Sequence, residues 1–319
     1  VDMTDMQDEV FKTPVNKIRL FEHGAPGSQN LKLTRKYYTE DMPDGRVKHI
    51  VQNITDPDII PYIPDGIGNS TDGERIPAVL IIPGGAFRRL VYNFEGEDVA
   101  KWLNSMGIAA FVLECRLPSD EHDNAEDVPL IDAMRAMRVI RGRAQEFGID
   151  EAKIGVMGFS AGGFIAALLS TAYESDVYAD YKYKDEYDEL SARPDFAVCS
   201  YPVISIDDCI EAGKRYMSEE QVLERISDSK AKILHKYNPD KLVRLDMPPV
   251  FICETDDDRT TLSENSVGFY MAARKAGVSA ELHIFRTGGH GYGCGDDSAQ
   301  TGEWKVLFTK WIKSIGIIS

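Results

Sequence analysis

Gly158-Phe159-Ser160-Ala161-Gly162 is the stretch whose reading decides the fold. Before it runs Lys153-Ile154-Gly155-Val156-Met157, with strand character. After it runs Gly163-Phe164-Ile165-Ala166-Ala167-Leu168-Leu169, with the character of a buried helix. A serine between glycines at such a junction is the G-x-S-x-G elbow, a strained strand-to-helix turn that lifts a hydroxyl clear of the backbone. Glycine suits the positive φ and the close backbone approach that so tight a turn needs. The helix start also leaves unpaired N–H groups pointing to where negative charge would develop. Alone the pattern is common; its position between strand and helix makes Ser160 a candidate nucleophile.

A serine needs a base. His290 lies in Thr287-Gly288-Gly289-His290-Gly291-Tyr292-Gly293, just past the strand-like run Ala280-Glu281-Leu282-His283-Ile284-Phe285. A histidine on a glycine-rich loop beyond a strand can reach the serine and take its proton. His283 sits inside the strand pattern, and the other four histidines have no comparable context. The third member is expected after Pro249-Val250-Phe251-Ile252-Cys253-Glu254, where the chain reads Thr255-Asp256-Asp257-Asp258-Arg259. One carboxylate there would hold the imidazole in the right tautomer. Three adjacent aspartates cannot all face one histidine; Asp258 is the first choice and Asp257 the second. The chain order Ser, Asp, His is that of the α/β-hydrolases.

An anion-stabilising loop is expected upstream. Ala78-Val79-Leu80-Ile81-Ile82 reads as a buried strand, and Pro83-Gly84-Gly85-Ala86-Phe87 follows it directly. The backbone N–H of Gly85 or Ala86 would pair with that of Ala161 as an oxyanion hole.

Composition narrows the class. The chain has 319 residues, of which 43% are hydrophobic and 28% charged, enough for one sizeable core. Lysine and arginine number 36 against 52 acids, a net charge of −16 that argues against nucleic acid or anionic membrane as partners. The five scattered cysteines form no C-x-x-C pair, so neither a zinc site nor a disulfide framework is expected, and no cofactor is required. No apolar run reaches the length of a membrane span. The first residues lack signal-peptide character, so a cytoplasmic, reducing location is expected.

Strand-like runs fall near 31–38, 46–54, 78–82, 108–113, 153–158, 196–200, 249–254 and 280–285. Helical patterns fall near 95–106, 128–147, 161–173, 263–276 and 302–315. This alternation predicts a single α/β domain over 1–319, an eight-stranded, mostly parallel sheet with helices on its faces, the first two strands antiparallel. Two segments exceed the minimal pattern: the tyrosine- and acid-rich 173–193, and 203–246 with helical stretches. Both are expected to form a small cap.

Several motifs together resemble one esterase group. They are Pro83-Gly84-Gly85-Ala86-Phe87, Glu95-Gly96-Glu97-Asp98-Val99-Ala100-Lys101-Trp102-Leu103-Asn104, the elbow, Tyr201-Pro202-Val203-Ile204-Ser205, Glu264-Asn265-Ser266 and Gly288-Gly289-His290-Gly291. From about residue 46 onward the chain is similar to the acetyl xylan esterase-like branch of the α/β-hydrolases, the BD-FAE type. The resemblance implies hydrolysis of short acyl esters, often acetyl groups on plant oligosaccharides or polysaccharides. It carries the family's triad onto Ser160, Asp258 and His290. Phe87, Phe159 and Tyr201 are the candidate substrate-binding residues. Two departures stand out: Phe87 where the family more often has tyrosine, and Phe164 where a histidine is common. A lipid carboxylesterase or a peptidase could use the same triad, and a non-catalytic binding protein could use the same fold. Pairing of protomers is a fold-level analogy.

Overall fold

The computed structural model describes residue 11 and residues 15–67, 75–227 and 232–319. Its strands, in chain order, are β1 (Ile18–Arg19), β2 (Lys36–Asp41), β3 (Val47–Gln52), β4 (Asp58–Tyr62), β5 (Ile76–Ile82), β6 (Leu90–Val91), β7 (Ala109–Glu114), β8 (Ile149–Phe159), β9 (Ala197–Ser200), β10 (Val250–Thr255) and β11 (Ala280–Phe285). The helices are α1 (Asp98–Ser105), α2 (Val128–Gly142), α3 (Ala144–Phe147), α4 (Ala161–Ala172), α5 (Ile206–Tyr216), α6 (Glu219–Ser227), α7 (Lys232–Lys236), α8 (Ser263–Lys275) and α9 (Trp304–Ser314). None is long and apolar enough to cross a membrane.

One sheet of eight strands runs in the order β1-β4-β7-β5-β8-β9-β10-β11. From β7 to β11 every pairing is parallel, whereas β1–β4 and β4–β7 are antiparallel. The parallel strands β7, β9 and β10 are buried along their whole length and read as continuous apolar runs, because helices cover both faces.

The expected antiparallel pair exists but belongs elsewhere. β2 and β3 form a hairpin that pairs with β6 in a separate three-stranded sheet. The antiparallel strands of the main sheet are instead β1 and β4, which periodicity did not mark. β1 has two residues and β4 carries Pro61, so neither shows the alternation or length that identifies a strand.

The nucleophile region follows from close packing. β8 ends at Phe159 and α4 starts at Ala161, leaving Ser160 alone in the turn at φ 53° and ψ −119°. A Cβ on Gly162 would lie 2.0 Å from the Ile82 carbonyl oxygen, so only glycine lets α4 start against the end of β5.

Both insertions pack on the flank of the domain. In 173–193, Arg135 of α2 pairs with Asp185 and Asp188, and Tyr178 and Tyr181 pack edge-on against Phe21. In 203–246, of which 228–231 lie outside the described residues, Ser205 caps α5 and Lys236 pairs with Asp127 at 2.7 Å. Among the described residues neither segment lines the cavity above Ser160. Residues of the β2–β3 hairpin and of loop 288–301 contribute to that wall.

The end of β7 is pinned by a buried ion pair. Arg116 and Asp132 both have fully buried side chains and meet at 2.7 Å. Asp132 also accepts the Arg116 backbone N–H, and the guanidinium donates to Ser28 and to the Pro26 carbonyl. Removing one member strands the other charge. Arg116→Ala should therefore destabilise the protein by about 3–5 kcal/mol, measured by urea denaturation; a loss below about 1 kcal/mol would contradict this account.

Candidate active site

Three loops at the carboxyl ends of the parallel strands meet at Ser160. The His290 Nε2 lies 2.8 Å from the Ser160 Oγ, and its Nδ1 lies 2.6 Å from Asp258 Oδ2. The three groups predicted from sequence thus form one hydrogen-bonded chain.

Asp258 is held from several sides. Its Oδ1 accepts the backbone N–H groups of Thr260 and Thr261, at 2.7 and 2.9 Å, and its Oδ2 accepts the Thr261 hydroxyl at 2.9 Å. Burial works against its ionisation. The hydrogen bond and charge of His290, with the two backbone donors, outweigh that and hold the carboxyl below its ordinary value.

Asp257, the alternative, has a separate task. It accepts the N–H groups of Gly288 and Gly289 at 2.9 and 2.8 Å, bracing the loop that carries His290. The same loop is tied by Thr255 to the Gly289 carbonyl and by the Trp304 indole to the Gly293 carbonyl.

The loop after β5 supplies the opposite wall. Gly85 has φ 142°, and a Cβ there would meet the Arg89 carbonyl oxygen at 2.1 Å, so the tight turn that closes on Arg88 and Arg89 requires glycine. Ala86 and Phe87 follow at φ 57° and 60°. Among the described residues, no acceptor is hydrogen-bonded to the backbone N–H of Gly85, Ala86 or Ala161. Gly85 and Ala86 line the cavity beside Ser160 and His290.

That cavity holds about 720 Å³. Its walls are mixed: Asp44, Arg46, Lys48, Arg89, Asp98 and Asp296 stand beside apolar residues such as Met42, Val91 and Phe94. Arg46 pairs with Asp44, and Arg89 with Glu40.

The three aromatic residues expected to touch substrate sit differently. Phe87, Phe159 and Tyr201 are buried and absent from the cavity wall. Phe159 packs against Trp304 and Tyr201. Phe87 lies edge-on to Phe164, with ring centroids 5.6 Å apart. The two departures from the family pattern are therefore in contact. Phe87 and Phe164 form an apolar pair, and neither lines the cavity. Tyr201 turns inward at φ 36°, and its hydroxyl donates to Glu95 at 2.9 Å.

Glu95 was not singled out from the sequence. It lies in a π-type turn, Asn93–Glu97, that leads into α1, and is 4% exposed. Its Oε2 accepts the Gly84 N–H at 2.8 Å. Burial pushes its carboxyl up, opposed by the charge of His290 and by the Tyr201 and Gly84 hydrogen bonds. Thr261 was also missed, since a threonine three residues past an aspartate carries no signal until the turn is folded.

The family model described as BD-FAE matches residues 67–272, which include Ser160 and Asp258. An acetylxylan esterase of Xylanibacter ruminicola is 30% identical over 240 residues, covering 75% of this chain and 45% of that protein. Endo-1,4-beta-xylanase B of Butyrivibrio fibrisolvens is 31% identical over 232 residues, covering 72% of this chain and 35% of that one. The chain thus spans less than half the length of both curated relatives. The crystal structure of an acetyl ester-xyloside bifunctional hydrolase from Caldicellulosiruptor lactoaceticus superposes with a TM-score of 0.65 at 37% identity, covering 84% of this chain and 91% of that one. With a family match over most of its length and a serine elbow on a mostly parallel eight-stranded sheet, this chain belongs to the BD-FAE family of α/β-hydrolases.

Proposed function

We propose that this protein is a serine esterase that removes short acyl groups, acetyl foremost, from plant-type oligosaccharides or polysaccharides. The observation that carries the reading is the unbroken hydrogen-bonded chain Ser160–His290–Asp258. Ser160 Oγ attacks the ester carbonyl carbon while His290 Nε2 takes its proton. The carbonyl oxygen becomes an oxyanion and accepts hydrogen bonds from Ala161 N–H and from Gly85 or Ala86 N–H. The intermediate collapses, the C–O bond to the sugar breaks, and His290 returns the proton to the departing alcohol. Water, deprotonated by the same imidazole, then attacks the acyl-enzyme; Ser160 leaves and regains its proton, and the acid is released. Asp258 keeps the imidazole oriented and supports its charged form.

The acceptor class follows from the walls. The charged side chains on part of the cavity wall, beside apolar lining of similar extent, suit a polyhydroxylated acceptor that carries a short acyl group. The chain's similarity to an acetylxylan esterase and to an acetyl ester-xyloside hydrolase supports the same reading.

Two outcomes are expected. Ser160→Ala should lower kcat for 4-nitrophenyl acetate by at least about 10³-fold, and the wild type should release acetate from acetylated xylo-oligosaccharides faster than it hydrolyses 4-nitrophenyl octanoate. Near-wild-type turnover by Ser160→Ala would sink the triad reading, and a preference for octanoate would sink the sugar reading. The depressed carboxyl of Asp258 also has a signature in stability. Its folded-state value lies below its ordinary value of 3.8, so its contribution is present above that pH and is lost as the pH falls through the folded value. The stability advantage of wild type over Asp258→Asn, from urea unfolding at several pH values, should hold between pH 7 and 5 and narrow below about pH 4. A constant gap down to pH 3 would contradict it.

A further inference from the structure

Glu95 is a buried carboxyl that the proposed acyl transfer does not use. It faces the cavity beside Ser160 and takes part in no ion pair among the described residues. Charge or polarity buried without a salt-bridge partner is unfavourable unless hydrogen bonds satisfy it. Here each oxygen has one donor, and the two donors belong to different parts of the site. Gly84, at Oε2, immediately precedes Gly85 and Ala86, the proposed oxyanion donors. Tyr201, at Oε1, directly follows β9, and its hydroxyl in turn accepts the Gly293 N–H at 2.9 Å, on the loop that carries His290. The Tyr201 ring also stands edge-on to the His290 imidazole, with centroids 5.0 Å apart at 68°.

We propose that Glu95, acting through Tyr201, is a positioning residue that locks the oxyanion loop and the histidine loop into one register, so that proton transfer and oxyanion stabilisation coincide in the transition state. The inference rests on the serine-esterase reading above. Its physical basis is that oxyanion donors contribute only where they are held ready for the charge that develops. The Gly84–Phe87 turn is closed by its own backbone hydrogen bonds, and Glu95 adds the tie that connects it to Tyr201. The Glu95–Tyr201–Gly293 chain supplies the bracing across the cavity floor, from one catalytic loop to the other. Glu95 touches neither substrate nor reacting atoms in this scheme, so its loss affects turnover more than binding.

The sequence of contacts allows a clean dissection. In Glu95→Gln the amide oxygen can still accept from Gly84, but its NH2 faces a Tyr201 hydroxyl that already accepts from Gly293, leaving the hydroxyl proton without an acceptor. Tyr201→Phe cuts the same link from the other side by deleting one oxygen. The experiment measures kcat, KM and thermal unfolding for wild type, both single variants and the double variant with 4-nitrophenyl acetate. Each single variant should lose about 10- to 100-fold in kcat, with KM within about threefold. The double variant should lose no more than the worse single, because both remove one shared link. Folded single variants that keep kcat within threefold would overturn the inference, as would losses that multiply in the double variant. If Glu95→Gln does not fold, Tyr201→Phe decides alone by the same criterion. A wild type without esterase activity would instead refute the reading beneath it, which keeps the two failures distinct.

Discussion

The structure turns on the backbone of Ser160. At φ 53° a residue with a side chain is strained, and the surroundings must over-determine the conformation to keep it. Here they do so with the tightest packing in the fold. α4 begins directly against the end of β5, with Gly162 too close to the Ile82 carbonyl for any side chain. The Ser160 N–H is tied to the Ser200 carbonyl on β9. The central strands β5, β8 and β9 are fully buried where they meet this turn, so the cost of the strain is spread over the most rigid part of the sheet. The serine therefore stands at a fixed height, and every other element of the site must come to it.

They come as loops, each braced by a different device. The loop after β10 folds its own N–H groups onto Asp258, so that one carboxylate ends the strand, orients the imidazole and stays ionised despite burial. The adjacent Asp257 spends its hydrogen bonds on Gly288 and Gly289, bringing the histidine loop to the same place. The turn after β5 is closed by its own backbone and by Glu95. Adjacent acids that look equivalent along the chain are thus divided between the His290 imidazole and the backbone of its loop by what lies opposite each.

The cavity has a second layer. β6 follows the oxyanion turn directly and pairs with β3, so the hairpin that walls the cavity is attached by backbone hydrogen bonds to the segment expected to hold the oxyanion. The N-terminal sheet and the anion-stabilising loop therefore form one piece, although they are separated by about forty residues of chain. Through this attachment the hairpin contributes Asp44, Arg46 and Lys48 to the cavity wall.

Local rules made the chemistry legible. A glycine-framed serine at a strand-to-helix junction, a histidine on a glycine loop, an aspartate after a buried strand and a Pro-Gly-Gly turn are all short-range signals. Ser160, His290, Asp258, Gly85 and Ala86 meet where those signals predicted. The central parallel strands were equally plain, because burial on both faces forces continuous apolar runs. What the chain order could not express was anything decided by opposition across space. The two-residue β1 and the proline-bearing β4 join the main sheet only because β7 offers an edge, while the hairpin read as sheet strands finds β6 instead. Phe87, Phe159 and Tyr201 look like substrate contacts from their motifs, yet positive φ and close packing turn two of them into the core and give the third to Glu95. Sequence by itself determined the fold class and brought forward Ser160, His290 and Asp258 as candidate reacting groups, since both readings depend on residue type and local backbone geometry. The tertiary structure alone decided the cavity walls and the bracing carboxylates, since a hydrogen bond between loops a hundred residues apart leaves no periodicity to read.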